Sequence, residues 1–347
     1  MQCRERHSLL APSAGRERLQ ARHSGPRNRA VVLAPLMRRS TFLAAAAALL
    51  AAVPTYRAGA ADPIRVGISA SEESALLFMA SERGFFKDAG LNVSVTIIPP
   101  NQMSQGVLGG SLDVGLSNTG AILLAHVHGL PLYLLAPAAV YSPRQPISYI
   151  VVAPGSPIRT AKDFAGKTVG VFAIHDMAST ALLLWLDTNG GDSKSVHVVE
   201  VPPLAQGAAV VAGRIDGAIM NEPHFSNAKG TLRQVGLTYS ALAGGKAFQT
   251  TGVVVNKGWA DADPAIVRHF AAVVRQSAQW ANRNPDEAAT LIANLMKMDL
   301  DVVKAIPRVR WGESPEPALV QPVIDVMAKY DVLPRSFPAQ ELFVPAV

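Results

Sequence analysis

Six short loops gather the side chains of this sequence that could do chemistry. Three hold Ser69, Ser71 and Glu72, then Asn101, Gln102 and Met103, then Asn118 and Thr119. Three more hold His175 and Asp176, then Ala205 and Gln206, then Asn221 and Glu222. Each loop follows a strand-like run and opens a helix-like one. Carboxylates and amide oxygens there accept hydrogen bonds, hydroxyls do both, and the first helix amides donate. That mix, a few placed polar groups in an apolar wall, is what a small-molecule cleft needs. With Glu73 counted, the loops carry four acids and no lysine or arginine. The balance favours an organic ligand with donor or cationic groups over a bare anion such as nitrate. No P-loop, G-x-S-x-G or H-E-x-x-H pattern is present. The one cysteine, Cys3, lies far upstream of the loops, so no thiolate nucleophile, disulfide or cysteine metal site is expected in the body. No catalytic residue, cofactor or metal is expected.

The loops recur because the chain repeats itself. "PPNQMSQGVLGGSLDVGLSN" (99–118) returns as "PPLAQGAAVVAGRIDGAIMN" (202–221), offset by 103 residues with no gap. The register extends upstream: "IRVGI" (64–68) answers "KTVGV" (167–171), and 64–118 against 167–221 contains twelve identical pairs. Among them are Val66/Val169, Gly67/Gly170, Val107/Val210, Gly110/Gly213, Asp113/Asp216 and Asn118/Asn221. Each copy reads as βαβαβ. Short β-branched runs alternate with stretches apolar at helical spacing, and Pro-Pro closes the second strand of each because proline cannot donate to a ladder. Such alternation predicts parallel strands with right-handed crossovers. Ligands of these sheets bind beyond the carboxyl ends of the strands. Two facing copies place those ends on either side of one cleft. Asp113 and Asp216 share a slot after a helix-ending glycine, where a turn role is expected, and Trp185 is expected in a helix core.

The chain has 347 residues and a net charge of +6. Residues 1–61 carry ten arginines and two glutamates, a net of +8, so the body carries −2. The basic character belongs to the leader, and nucleic acid is set aside as a partner. Within that leader, Met37-Arg38-Arg39, the apolar run 41–53 and Ala58-Gly59-Ala60 form the three parts of an export signal. The signal core is 37–60, cleavage is expected near Ala60, and the apolar run is short for a membrane anchor. An exported body places the protein in a periplasm. Lobe 1 is expected over 62–154 plus 250–347, and lobe 2 over 155–249. "APGSP" (153–157) is the expected crossing and 250–256 the return. From Asp263 onward the pattern is helical and should pack back on lobe 1.

"SERGFFKDAGLNVSV" (81–95), "TAKDFAGKTVGV" (160–171), "GRIDGAIMNEP" (213–223) and "WANRNPDEAA" (280–289) are similar to the periplasmic solute-binding proteins of ABC importers for nitrate, sulfonates, taurine and thiamine-precursor-like compounds. The resemblance covers 62–347. It implies an α/β, two-lobed type II binding protein with a βαβαβ unit in each lobe and a C-terminal helical segment. It further implies a monomer that clamps a sulfonate-, pyrimidine-, amine- or aromatic-type ligand and docks on a permease with its ATPase at the inner membrane. The alternatives are a cofactor-independent enzyme on this fold, or the ligand-binding partner of a sensor. Enzymes related to this group resemble ones that depend on cysteine, which the body lacks. Members commonly carry Trp before the Glu-Pro pair. Asn221 stands there in this chain, which removes an expected aromatic wall.

Overall fold

The computed structural model describes residues 62–228 and 230–345. The leader, with Cys3 and the export signal, lies outside the described residues. Eleven strands are described: β1 (Ile64–Ile68), β2 (Val93–Ile97), β3 (Val114–Asn118), β4 (Leu132–Tyr141), β5 (Ser148–Val152), β6 (Thr168–Val171), β7 (His197–Glu200), β8 (Gly217–Asn221), β9 (Arg233–Gly236), β10 (Phe248–Asn256) and β11 (Arg310–Trp311). They form two sheets, ordered β11-β4-β10-β3-β1-β2 and β7-β6-β8-β5-β9. Around them lie α1 (Ala75–Glu82), α2 (Pro100–Leu108), α3 (Thr119–Val127), α4 (Met177–Thr188), α5 (Pro203–Val211), α6 (Pro264–Arg283), α7 (Pro285–Met296), α8 (Leu300–Ala305) and α9 (Pro317–Lys329). No helix among the described residues is long and apolar enough to cross a membrane.

The repeat is a repeat of structure. β1 pairs β2 in parallel with Arg65 opposite Ser94, and β6 pairs β7 with Thr168 opposite His197. Val66 faces Val114 as Val169 faces Gly217. Every one of these partners is offset by 103. The side chains repeat too. The Arg65 amide donates to Asp113 Oδ2 at 2.8 Å, and the Thr168 amide to Asp216 Oδ2 at 2.9 Å. The shared aspartate therefore ties the third strand's entry to the first strand, which is the turn role expected of it. Gly67 and Gly170 are shared for a packing reason: a Cβ would lie 2.5 Å from Leu112 Cδ1 in one and 2.8 Å from Ile215 Cδ1 in the other. Gly110 and Gly213 both take a left-handed backbone, φ +72° and +67°, after their helices. Val66, Ile68 and Val107, with their counterparts Val169, Val171 and Val210, are all buried.

Each parallel trio is extended by an antiparallel strand, β10 on β3 and β5 on β8. This corrects the expected crossing. Ile147–Ala153 was assigned with lobe 1, but β5 pairs β8 with Ser148 opposite Asn221. The chain changes sheets between Tyr141 and Ser148, upstream of 153–157, and returns between Gly236 and Phe248. An apolar strand buried on both faces carries no mark of which sheet owns it. Of the C-terminal helices, α6 packs on α1, with Ser277 donating to the Leu76 carbonyl at 2.7 Å, while α9 packs on both β10 and α4.

Candidate functional site

A cavity of about 420 Å³ opens between the two sheets. Its walls include Ser71, Glu72, Glu73 and Asn118 from the first unit, with Phe172, Asp176, Asn221, Glu222 and Tyr239 from the second. Thus the loops after β1 and β3 face those after β6 and β8. A third wall comes from outside the duplicated units: Ile292 and Met296 of α7, Val303 of α8, and Ile306, Arg308 and Val309 beyond it.

Local structure fixes each polar group. Asn118 ends β3 and caps α3, its Oδ1 accepting from the Ala121 amide at 2.8 Å. Asp176 caps α4 in the same way. Its Oδ1 accepts from the Ser179 amide at 2.7 Å while Ser179 Oγ accepts from the Asp176 amide at 3.0 Å. Burial pushes the Asp176 carboxyl above the usual range, against the pull of the Ser179 bonds. Glu222 Oε2 accepts from the Ser226 amide at 3.2 Å. Tyr149 is pushed up by burial and then by the neighbouring Glu222 charge. Tyr239 is pushed up by burial first and then by the Asp176 charge, while the Asn221 side chain, hydrogen-bonded to its hydroxyl, pulls the other way. Glu72 is bound to Arg308 Nε. Burial nonetheless raises its carboxyl to about 7, with Arg308 pulling down and Glu73 adding its own charge.

Of the expected residues, Ser71, Glu72, Asn118, Asp176, Asn221 and Glu222 line the cavity. Ser69, Met103 and Thr119 are buried and turn inward. Ser69 Oγ bonds Ser74 Oγ at 2.9 Å, Thr119 Oγ1 donates to the Gln249 carbonyl at 2.8 Å, and Met103 packs where Gly67 and Gly115 leave room. His175 takes a left-handed backbone, φ 62°, with its side chain exposed to solvent, and Gln102 is likewise exposed. None of these five is in the cavity wall. The side chain of Asn101, from which a contact was expected, is not among those described. Gln206 lines the cavity but donates to the Val201 carbonyl at 3.2 Å.

Arg308, Phe172, Tyr239 and the α7–α8 wall were not expected. Phe172 follows β6 directly, and its position one residue past a buried strand was the available signal. Phe172 and Tyr239 supply aromatic rings to the cavity wall. Trp185 is buried against Phe164, edge to face with centroids 6.1 Å apart.

The sequence profile of the family described as NMT1/THI5 like matches residues 71–288. A Brucella abortus (strain 2308) protein, described by its name as a binding protein, is 25% identical over 271 residues, 76% of this chain and 80% of its own. The periplasmic aliphatic sulphonate binding protein SsuA from Escherichia coli superposes with a TM-score of 0.66 at 18% identity, covering 82% of this chain and 92% of its own. The desulfurization enzyme DSZB superposes with a TM-score of 0.62 at 18% identity, covering 82% and 97%. The two structural likenesses are likenesses of fold.

Proposed function

This chain belongs to the NMT1/THI5-like family, and from that premise we propose that it is the solute-binding component of an ABC-type importer. In this reading it is exported to the periplasm, holds a small organic solute between two lobes as a monomer, and presents it unaltered to a permease and its ATPase. The lobes are drawn at the sheet changes, near residues 142–147 and 237–247. The observation that carries the reading is the cavity, walled by matching loops of both copies. A ligand there touches both lobes only when they are closed, so it shifts the population toward closure by differential contact. We read the cavity as a holding site because three of its four carboxylates are tied into the scaffold: Glu72 by Arg308, Asp176 by a helix amide, Glu222 by the Ser226 amide.

A thermal-shift screen of the full chain against sulfonates, pyrimidines, amines and aromatic acids tests this. One class should raise the melting temperature progressively with concentration, because native-only binding adds about 2.7 kcal/mol at a hundredfold excess over Kd. The ligand should be recovered chemically unchanged. Silence in every class, or a product in place of the ligand, overturns the reading.

The contact between the starts of α3 and α4 gives a second test. Gly120, at the start of α3, lies against α4: a Cβ there would sit 3.2 Å from the Met177 amide nitrogen and 3.3 Å from Met177 Cβ. Gly120→Val should wedge the two helix starts apart and weaken the affinity found in the screen by about tenfold, roughly 1.4 kcal/mol. Small-angle scattering should show a ligand-saturated variant no more compact than the free protein. Unchanged affinity would show that the contact is not part of closure.

A further inference from the structure

Glu72, Glu73, Asp176 and Glu222 line the cavity with two basic residues, Arg308 and His224. Arg308 is held by Glu72. Among the described residues, no lysine or arginine forms an ion pair with Glu73, Asp176 or Glu222. Three carboxylates therefore face a partly enclosed space without a cation of their own. An anionic ligand would have to draw Arg308 away from a carboxylate that is itself largely buried, leaving Glu72 unpaired.

The open hydrogen-bonding groups of the cavity favour the same kind of ligand, independently of charge. Asn221 lines the cavity, and its Oδ1 is buried with no partner. Its other amide atom, the nitrogen, is left for the Tyr239 hydroxyl. A buried acceptor left open is costly. Asp176 accepts from the Ser179 and Ala178 amides, and Glu222 from the Ser226 amide and the Tyr149 hydroxyl, so both carboxylates are met by neutral donors and by no cation.

Apart from Arg308, the third wall is apolar: Ile292, Met296, Val303, Ile306 and Val309. Phe172 stands in the wall with 63% of its surface exposed. An aromatic face beside carboxylates is a receptor for an ammonium group. An exposed phenyl at a cleft wall is also surface that a closed lobe and a ligand would cover.

We propose that the solute is an amphipathic organic cation. Its ammonium donates to Glu222, Glu73, Asp176 and the open Asn221 oxygen, and its apolar or aromatic body lies against the α7–α8 wall beneath Phe172. The inference rests on the solute-binding reading of the same cavity.

Calorimetric titration of the full chain with three probes of one shape tests it: 2-phenylethylamine, 2-phenylethanol and 2-phenylethanesulfonate. The amine should bind at least tenfold tighter than the alcohol, and the sulfonate should not bind detectably. Glu222→Gln, which keeps an oxygen for the Ser226 amide, and Glu73→Gln, which breaks no ion pair, should each weaken the amine about tenfold. Both should leave the alcohol within twofold. Phe172→Leu should weaken the amine more than the alcohol. The inference is overturned if the sulfonate binds as well as the amine, if both Gln variants leave amine affinity unchanged, or if the amine does not bind while another class from the screen does. In those cases solute binding stands and only its chemistry changes. If no probe and no screened class binds, the solute-binding reading falls with it.

Discussion

Arg308→Met is expected to cost about 1.5 kcal/mol of unfolding free energy at pH 5 and about 3 kcal/mol at pH 8. Methionine keeps the stem's packing and removes the guanidinium, so the loss isolates the pair with Glu72. In the native protein Glu72 keeps its proton up to about pH 7, whereas the unfolded value is 4.5. The folded state therefore binds the proton more tightly. The stabilisation this gives is full below pH 4.5 and is lost as the pH rises through 7, with a slope of at most about 1.4 kcal/mol per pH unit. At pH 5 Glu72 is protonated in both proteins, and the variant lacks only a hydrogen bond from a charged donor. Above pH 7 the native carboxylate ionises against Arg308, while the variant must go on holding the proton. Its deficit then widens by about 1.4 kcal/mol for each further unit. Asp176 is shifted in the same direction but is common to both proteins and cancels in the difference. Urea unfolding at pH 5, 7 and 8 reads this directly. A deficit that stays flat with pH would mean that Arg308 does not hold the charge of Glu72.

That pair also marks where the sequence stops being informative. Glu72 and Arg308 are 236 residues apart, and no periodicity or motif links them. What could be read was everything written locally or written twice. Strand ends followed from β-branched runs stopped by Pro-Pro or glycine, and the 103-residue offset showed that two sets of ends face one space. Six expected residues line that space because a position after a strand fixes a loop. Ser69, Met103 and Thr119 sit in the right loops and still miss it. A loop position fixes place but not direction, and each of these side chains found an inward partner in Ser74, the Gly67 gap and the Gln249 carbonyl. The apolar third wall was hidden for a further reason. Residues such as Ile292 and Val303 fit an amphipathic helix facing a core, and that they also face the cavity depends on how α7 and α8 pack. β5 belongs to the other sheet from the one expected, and a strand buried along its whole length suits either one.

The helix that carries Asp176 is held from behind, and Gly236→Ala should loosen it by about 3 kcal/mol, as expected when a close-packed core is overfilled. A Cβ on Gly236 would lie 2.3 Å from Trp185 Cζ2 and 2.5 Å from Cε2. Neither side can yield cheaply. Gly236 is fixed by β9's pairing, opposite Ile150 of β5. The indole is stopped by Phe164, which is fully buried. Trp185 lies on α4, whose first turn presents Asp176 and Met177 to the cavity, so a displaced ring moves the wall it supports. Trp185→Leu alone should also destabilise, by about 3 kcal/mol through the space it vacates. Together the two changes should cost less than their sum by more than about 1 kcal/mol, because leucine gives the new methyl somewhere to go. Urea unfolding of the two single variants and the double variant measures that coupling. Additivity would place the strain of the alanine elsewhere than on the indole. It would also remove the reason for a glycine at this point of β9, a position the 103-residue repeat does not reach and whose constraint comes only from the aromatic ring packed across it.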